Sequence, residues 1–148
     1  MKKYEINSDG RIIALRSGPW GDAGTIGGYL KSEKNLSQFG NCWIYDDAQV
    51  FGNAWVSDNA KIFCAADVSG YSRVFGNAWV FGNAWVYGNA WVFGNSKVSD
   101  DVWVYGNAWV YGNAWVSGAT HIFGDTKITR SYTSTINIEE ISDELDLL

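Results

Sequence analysis

Few side chains in this sequence have catalytic potential. His121 is the sole histidine among 148 residues; as a general base it could take a proton from an acceptor hydroxyl or amine. The same scarcity argues against a histidine-bound zinc centre, which needs three such ligands converging on one ion. Even a trimer giving one histidine each would have to bring them together on its axis. Cys42 and Cys64 cannot by themselves build a disulfide framework or a zinc site, and both are read as structural. Asp46-Asp47 and Asp100-Asp101 lie 54 residues apart at equivalent places in a repeat and are read as solvated turns. Spacing supports no Ser-His-Asp arrangement, no catalytic carboxylate pair and no phosphate loop, so the expectation is no metal and no resident cofactor.

The elements that position these groups come from one motif. Gly76 to Phe93 consists of three successive, nearly identical hexads, and the frame extends without insertion from Gly40 to Thr129, fifteen hexads in all. The fifth position is Val or Ile in every hexad, and the third is small in almost all, mostly Ala. Two residues apart on an extended chain, these side chains share one side, which must be the interior. Position one is Gly in eleven hexads and position two is Asn or Asp in twelve, the residues that accept a left-handed backbone and turn corners. Each hexad is thus a short strand and a bend. The expected fold is all-β: a single-stranded left-handed parallel β-helix of about five 18-residue coils. Residues 1–39 form its N-terminal cap, 40–129 the β-helix, and 130–148 an acidic tail or capping helix.

In the cap, Tyr4-Glu-Ile and Arg11-Ile-Ile-Ala-Leu suggest a hairpin turning at Asp9-Gly10. Gly18-Pro-Trp-Gly21 and Gly24-Thr-Ile-Gly-Gly28 read as loop, and the glycines lack the Gly-Lys-Ser/Thr ending of a phosphate cradle. At the far end Ile138, Ile141, Leu145 and Leu148 recur at helical spacing after a capping box of Asn137 and Glu140, which predicts a short helix closing the last coil or engaging a partner. The net charge of −5 is spread with no basic stripe, so no nucleic-acid partner is expected. No apolar run is long enough to cross a bilayer and no secretory pattern follows Met1-Lys2-Lys3; the expectation is a cytoplasmic protein.

Ala23-Gly-Thr-Ile-Gly-Gly-Tyr29, Asn35-Leu-Ser-Gln38 and Gly40-Asn-Cys-Trp-Ile-Tyr-Asp46 together resemble the segment leading into the first coil of YdcK-like hexapeptide-repeat proteins. The resemblance implies a left-handed β-helix entered through a cap, and an acyltransferase-like assignment by analogy of fold. The chain departs from that family in being short and in repeating with no loop between coils, whereas acyltransferases of this fold tend to build their sites from such loops.

Position four points away from the core, and it holds eight of the nine tryptophans. Stacking every third hexad gives three outer columns: Trp43, Lys61, Trp79, Lys97 and Trp115; Gln49, Asp67, Trp85, Trp103 and His121; Trp55, Arg73, Trp91, Trp109 and Lys127. Each Lys or Arg lies next to a tryptophan one coil away, a stabilising arrangement for cation and indole. Position six adds ten Phe or Tyr. An aromatic surface of this size points to contact with another molecule, with Trp79, Trp85, Trp91, Trp103, Trp109, Trp115, Tyr87, Tyr105 and Tyr111 as the binding surface and a homo-oligomer or protein partner as its occupant. Size and charge also suit an inhibitor or adaptor. The functional expectation is therefore a non-catalytic interaction or self-assembly module. The alternative is a trimeric transferase using a coenzyme A ester, with His121 as base.

Overall fold

The computed structural model describes residues 1–133 and the backbone of 139–141. Positions three and five of every hexad are buried, from Cys42 and Ile44 to Thr126 and Ile128. Each interior Val or Ile contributes about 1.5–3 kcal/mol relative to exposure. The strands they form are two or three residues long, and they pair in parallel with the strand 18 residues away, as Trp79 does with Lys97 and Trp85 with Trp103. Because a corner follows each strand, successive strands fall on different walls. The product is an all-β parallel β-solenoid of about six turns with three walls. The first wall runs from Trp43–Ile44 to Tyr132–Thr133, the second from Gln49–Val50 to Glu139–Ile141, and the third from Trp55–Val56 to Lys127–Ile128.

Corners require a left-handed residue at position one. Gly82, for example, has φ +66°, and a Cβ there would lie 2.7 Å from the Asp100 nitrogen of the next coil. Three aspartates take the same conformation without glycine's freedom, Asp46, Asp58 and Asp100, at φ 57°, 58° and 58°. Each carboxylate compensates by accepting the backbone N–H of the residue 18 positions on: Cys64, Gly76 and Gly118, all at 2.9 Å. Asp46 and Asp100, expected only as solvated turns, thus tie one coil to the next, and Asp58 does the same. Asn59, Asn77 and Asn95 add a side-chain ladder along an adjoining corner, at 3.1 and 3.0 Å.

The cap supplies partners for the open end of every wall. Strands β1 (Tyr4–Ile6), β2 (Arg11–Ala14) and β3 (Ile26–Leu30) form an antiparallel meander, and β3 then pairs in parallel with Gln49–Val50, extending the second wall. The glycine-rich segment expected as loop is therefore in part a strand. Gly27 and Gly28 serve close packing, since a Cβ on either would come within 2.5 Å of Ile44. On the third wall, Leu36 bridges to Val56 and the Asn35 amide donates to the carbonyls of Gly52 and Ala54. On the first, the buried Lys3 ammonium donates to the carbonyls of Phe39, Gly40 and Cys42, the last at 2.8 Å. Burial lowers the Lys3 pKa, while the Cys42 thiol, 3.3 Å away, is pushed up by its own burial.

Two further expectations require correction. Trp43 occupies an outward position but is 0% exposed, because the cap lies over it: Trp20 stacks on it at 5.3 Å and Tyr4 meets it edge-on at 6.4 Å. At the other end, Glu139–Ile141 is a strand paired with Thr120–Ile122, where a helix was expected. The remainder of that expected helix lies outside the described residues. The third-position interior pairs small side chains with backbone acceptors: Ser72 and Ser96 hydroxyls donate to Ser69 and Phe93 carbonyls at 2.7 and 2.8 Å.

Candidate functional site

The strands carry position four outward, and inter-coil pairing brings these side chains into register one above another. Parallel β-pairing at ~4.8 Å falls within the centroid spacing of offset-stacked rings. Trp85 and Trp103 accordingly lie parallel at 4.8 Å, Trp91 and Trp109 at 5.0 Å. Position six builds a second file beside the first: Tyr87 on Tyr105 at 4.9 Å, Phe93 on Tyr111 at 5.0 Å, Phe63 on Phe81 at 4.6 Å. Neighbouring files meet edge to face, as Tyr87 does with Trp103 at an interplanar angle of 70°. Offset and edge-on pairs of this kind are the favoured aromatic geometries.

The structure distributes the expected binding residues over all three walls. Trp79 and Trp115 belong to the first, Trp85, Trp103, Tyr87 and Tyr105 to the second, Trp91, Trp109 and Tyr111 to the third. They form three separate striped surfaces, and most of the rings are half-buried by stacking. Cations cap the stacks on two walls. Lys97 sits between Trp79 and Trp115 at 4.5 and 4.9 Å, Lys61 covers the other face of Trp79 at 5.7 Å, Arg73 covers Trp91 at 5.5 Å, and Lys127 covers Trp109 at 4.9 Å. Trp115 also donates its indole N–H to Ser99 at 2.9 Å.

The second wall differs. Its outer column contains no Lys or Arg. His121 lies flat on Trp103 at 4.3 Å and meets Tyr105 edge-on, so the imidazole is built into the aromatic stack. At the other end of the stack, Trp85 is followed by Asp67, its strand partner. In the position-six file Ser69 separates Tyr87 from Phe51. The position-four stack ends at Asp67 and the position-six file is interrupted at Ser69 on the same level, leaving a notch of about 320 Å³ lined by Phe51, Asp67, Ser69, Trp85 and Tyr87. Burial raises the Asp67 pKa, and it raises that of Tyr87 as well, with a smaller contribution from Tyr105. Beyond Phe51 a second pocket of about 480 Å³ reaches the cap at Gly10, Tyr29 and Lys31.

Sequence reasoning placed Asp67 in the second column but did not single it out, nor Ser69 or Phe51. The signal was present: Asp67 is the sole acid at position four, and Ser69 is the sole small residue at position six with a ring on both sides in its file. Among the described residues, no group of three or more His, Cys, Asp or Glu could hold a metal ion, and no helix is long and apolar enough to cross a membrane.

The family model of the YdcK β-solenoid repeat matches residues 102–118. The chain is similar to that repeat there. This stretch holds three position-four tryptophans, Trp103, Trp109 and Trp115, and ends at the corner residue Gly118. No curated protein matches the chain.

Proposed function

We propose that this chain is a non-catalytic β-solenoid module for self-assembly or protein contact, acting through its second wall. The carrying observation is the contrast between walls. All three walls leave a tryptophan open, Trp115 at 46%, Trp85 at 42% and Trp55 at 37%, but two set the chain's own cations against their indoles, whereas the second ends its stack at a carboxylate, Asp67. Exposed aromatics flanked by polar groups are the composition of contact surfaces, and a second copy is the commonest partner for such a face. The cap favours discrete assemblies over end-to-end growth, because it fills the strand edges that would otherwise pair with another molecule. The free thiols Cys42 and Cys64 suit a reducing compartment, and we place the module in the cytoplasm. No nucleic acid or cofactor enters this reading.

The transferase alternative rests on His121. Its packing against Trp103 supports a stacking role better than that of a base poised over a substrate. Solution mass separates the two readings. A complex unchanged by His121→Ala but dissociated by Trp85→Ser with Trp103→Ser supports the module. Coenzyme A binding lost on His121→Ala, in a protein whose mass does not respond to the tryptophan changes, overturns it.

A further inference from the structure

We propose that the Trp85–Asp67 notch is a binding site for a guanidinium group, the head of an arginine side chain presented by a partner. The inference rests on the second wall being a contact surface and specifies what that surface recognises.

The missing rung defines the ligand. Phe51 and Tyr87 stand two coils apart in one file, so the Ser69 level is one unfilled rung, two strand spacings of ~4.8 Å separating the levels on either side. That leaves room for one planar group at the spacing the stacked rings keep elsewhere, 4.8 Å for Trp85 on Trp103 and 4.9 Å for Tyr87 on Tyr105. Its inner wall is Asp67, partly buried and without a hydrogen bond or ion pair among the described residues. A carboxylate held against aromatic faces and lacking a counter-ion calls for a cation. A flat one is favoured, because guanidinium can stack on an indole and give paired N–H donors to a carboxylate, whereas ammonium is a compact, more strongly hydrated charge.

The molecule itself contains the stacking half of this unit on the third wall and the complete unit in the cap. On the third wall, Arg73 occupies the position equivalent to Asp67 and covers Trp91, the neighbour that corresponds to Trp85. In the cap, the Arg11 guanidinium lies 4.2 Å over the Tyr29 ring while Nη2 bonds the Asp47 carboxylate. The second wall has the ring and the carboxylate of the cap arrangement and the stack end of the third wall, and it lacks only the cation. An arginine from outside completes it.

The test uses the full chain and three probes: N-acetyl-arginine methylamide, its citrulline analogue, which keeps shape without charge, and the lysine analogue. The readout is the indole N–H resonance of Trp85, assigned by its loss in Trp85→Phe, with the Trp79 and Trp91 resonances as internal controls. The expected result is saturable movement of Trp85 with the arginine probe, at least tenfold weaker binding of citrulline, weaker binding of lysine, and at least a tenfold loss in Asp67→Asn. Unchanged control resonances in Asp67→Asn establish that the variant is folded. Equal binding of citrulline, full binding by Asp67→Asn, or movement confined to Trp79 or Trp91 would overturn the proposal. If the arginine probe fails while Trp85→Ser with Trp103→Ser still dissociates a complex, the guanidinium site is refuted and the contact surface stands.

Discussion

Aspartate is the informative residue at the corners. A left-handed conformation costs a side-chain-bearing residue roughly 1–2 kcal/mol, and Asp100 recovers part of this through its bond to the Gly118 N–H at 2.9 Å. Asp100→Gly loses the bond but is relieved of the strain and should stay close to wild type, whereas Asp100→Ala keeps the strain without the bond and should be the least stable, by about 1–2 kcal/mol. Urea midpoints for the three proteins check it. Equal losses for Ala and Gly would show that the lost carboxylate bond, and not backbone strain, governs the corner. Tyr4 permits a second test. Buried, with its hydroxyl donating to the Leu36 carbonyl at 2.6 Å, it has a pKa raised from 10.0 by desolvation, with Glu33 next in importance. A folded pKa above the unfolded one contributes stability that is complete below the unfolded value and lost as pH rises toward the folded one. Tyr4 should thus add up to about 1.4 kcal/mol of destabilisation per pH unit above pH 10. Denaturation from pH 9 to 11.5 should show a shallower decline for Tyr4→Phe; parallel curves would remove Tyr4 as the alkaline trigger.

At the scale of the element, the strands were legible because the period is physical. Position five must be branched and position three small to fill a narrow interior, and that requirement is visible in Val80, Val86 and Val92 as readily as in coordinates. The cations beside tryptophans were equally legible, since fixed register turns sequence spacing into distance. What escaped has one cause: the period says nothing about residues outside it. Gly27 and Gly28 resemble loop glycines, but they are strand residues that must lie against Ile44. Trp43 obeys the outward rule of its hexad and is buried by a cap that the rule does not contain. Glu139–Ile141 carries helix-like spacing and forms a strand because the Thr120–Ile122 edge offers a ladder to pair with. The candidate notch was missed for the opposite reason. It is an omission of rings at Asp67 and Ser69, and attention to repeated residues passes over such gaps.

For the whole molecule, constant register across the walls makes the coil the natural unit of change. Deleting residues 76–93 removes 18 residues and returns every remaining side chain to its own column. Deleting 82–87 alone removes one hexad and moves all later residues to the next wall. The first variant should retain the circular-dichroism spectrum and a cooperative transition. The second should lose more stability, because Arg73 would face Lys97 in place of Trp91 and Trp79 would lose its contact with Lys97. Comparable midpoints for the two would show that the outer columns contribute little.

Three consecutive hexads of nearly one spelling also create an ambiguity for the folding chain. Slipped by six residues, Gly76 to Phe93 would still bury Ala and Val and still place Gly at the bends. Lys97 would then miss Trp79, and Asp58 would no longer find the Gly76 N–H. The exceptional residues scattered through the repeat therefore act as a winding index: they give one alignment of otherwise interchangeable threads an energy the others lack.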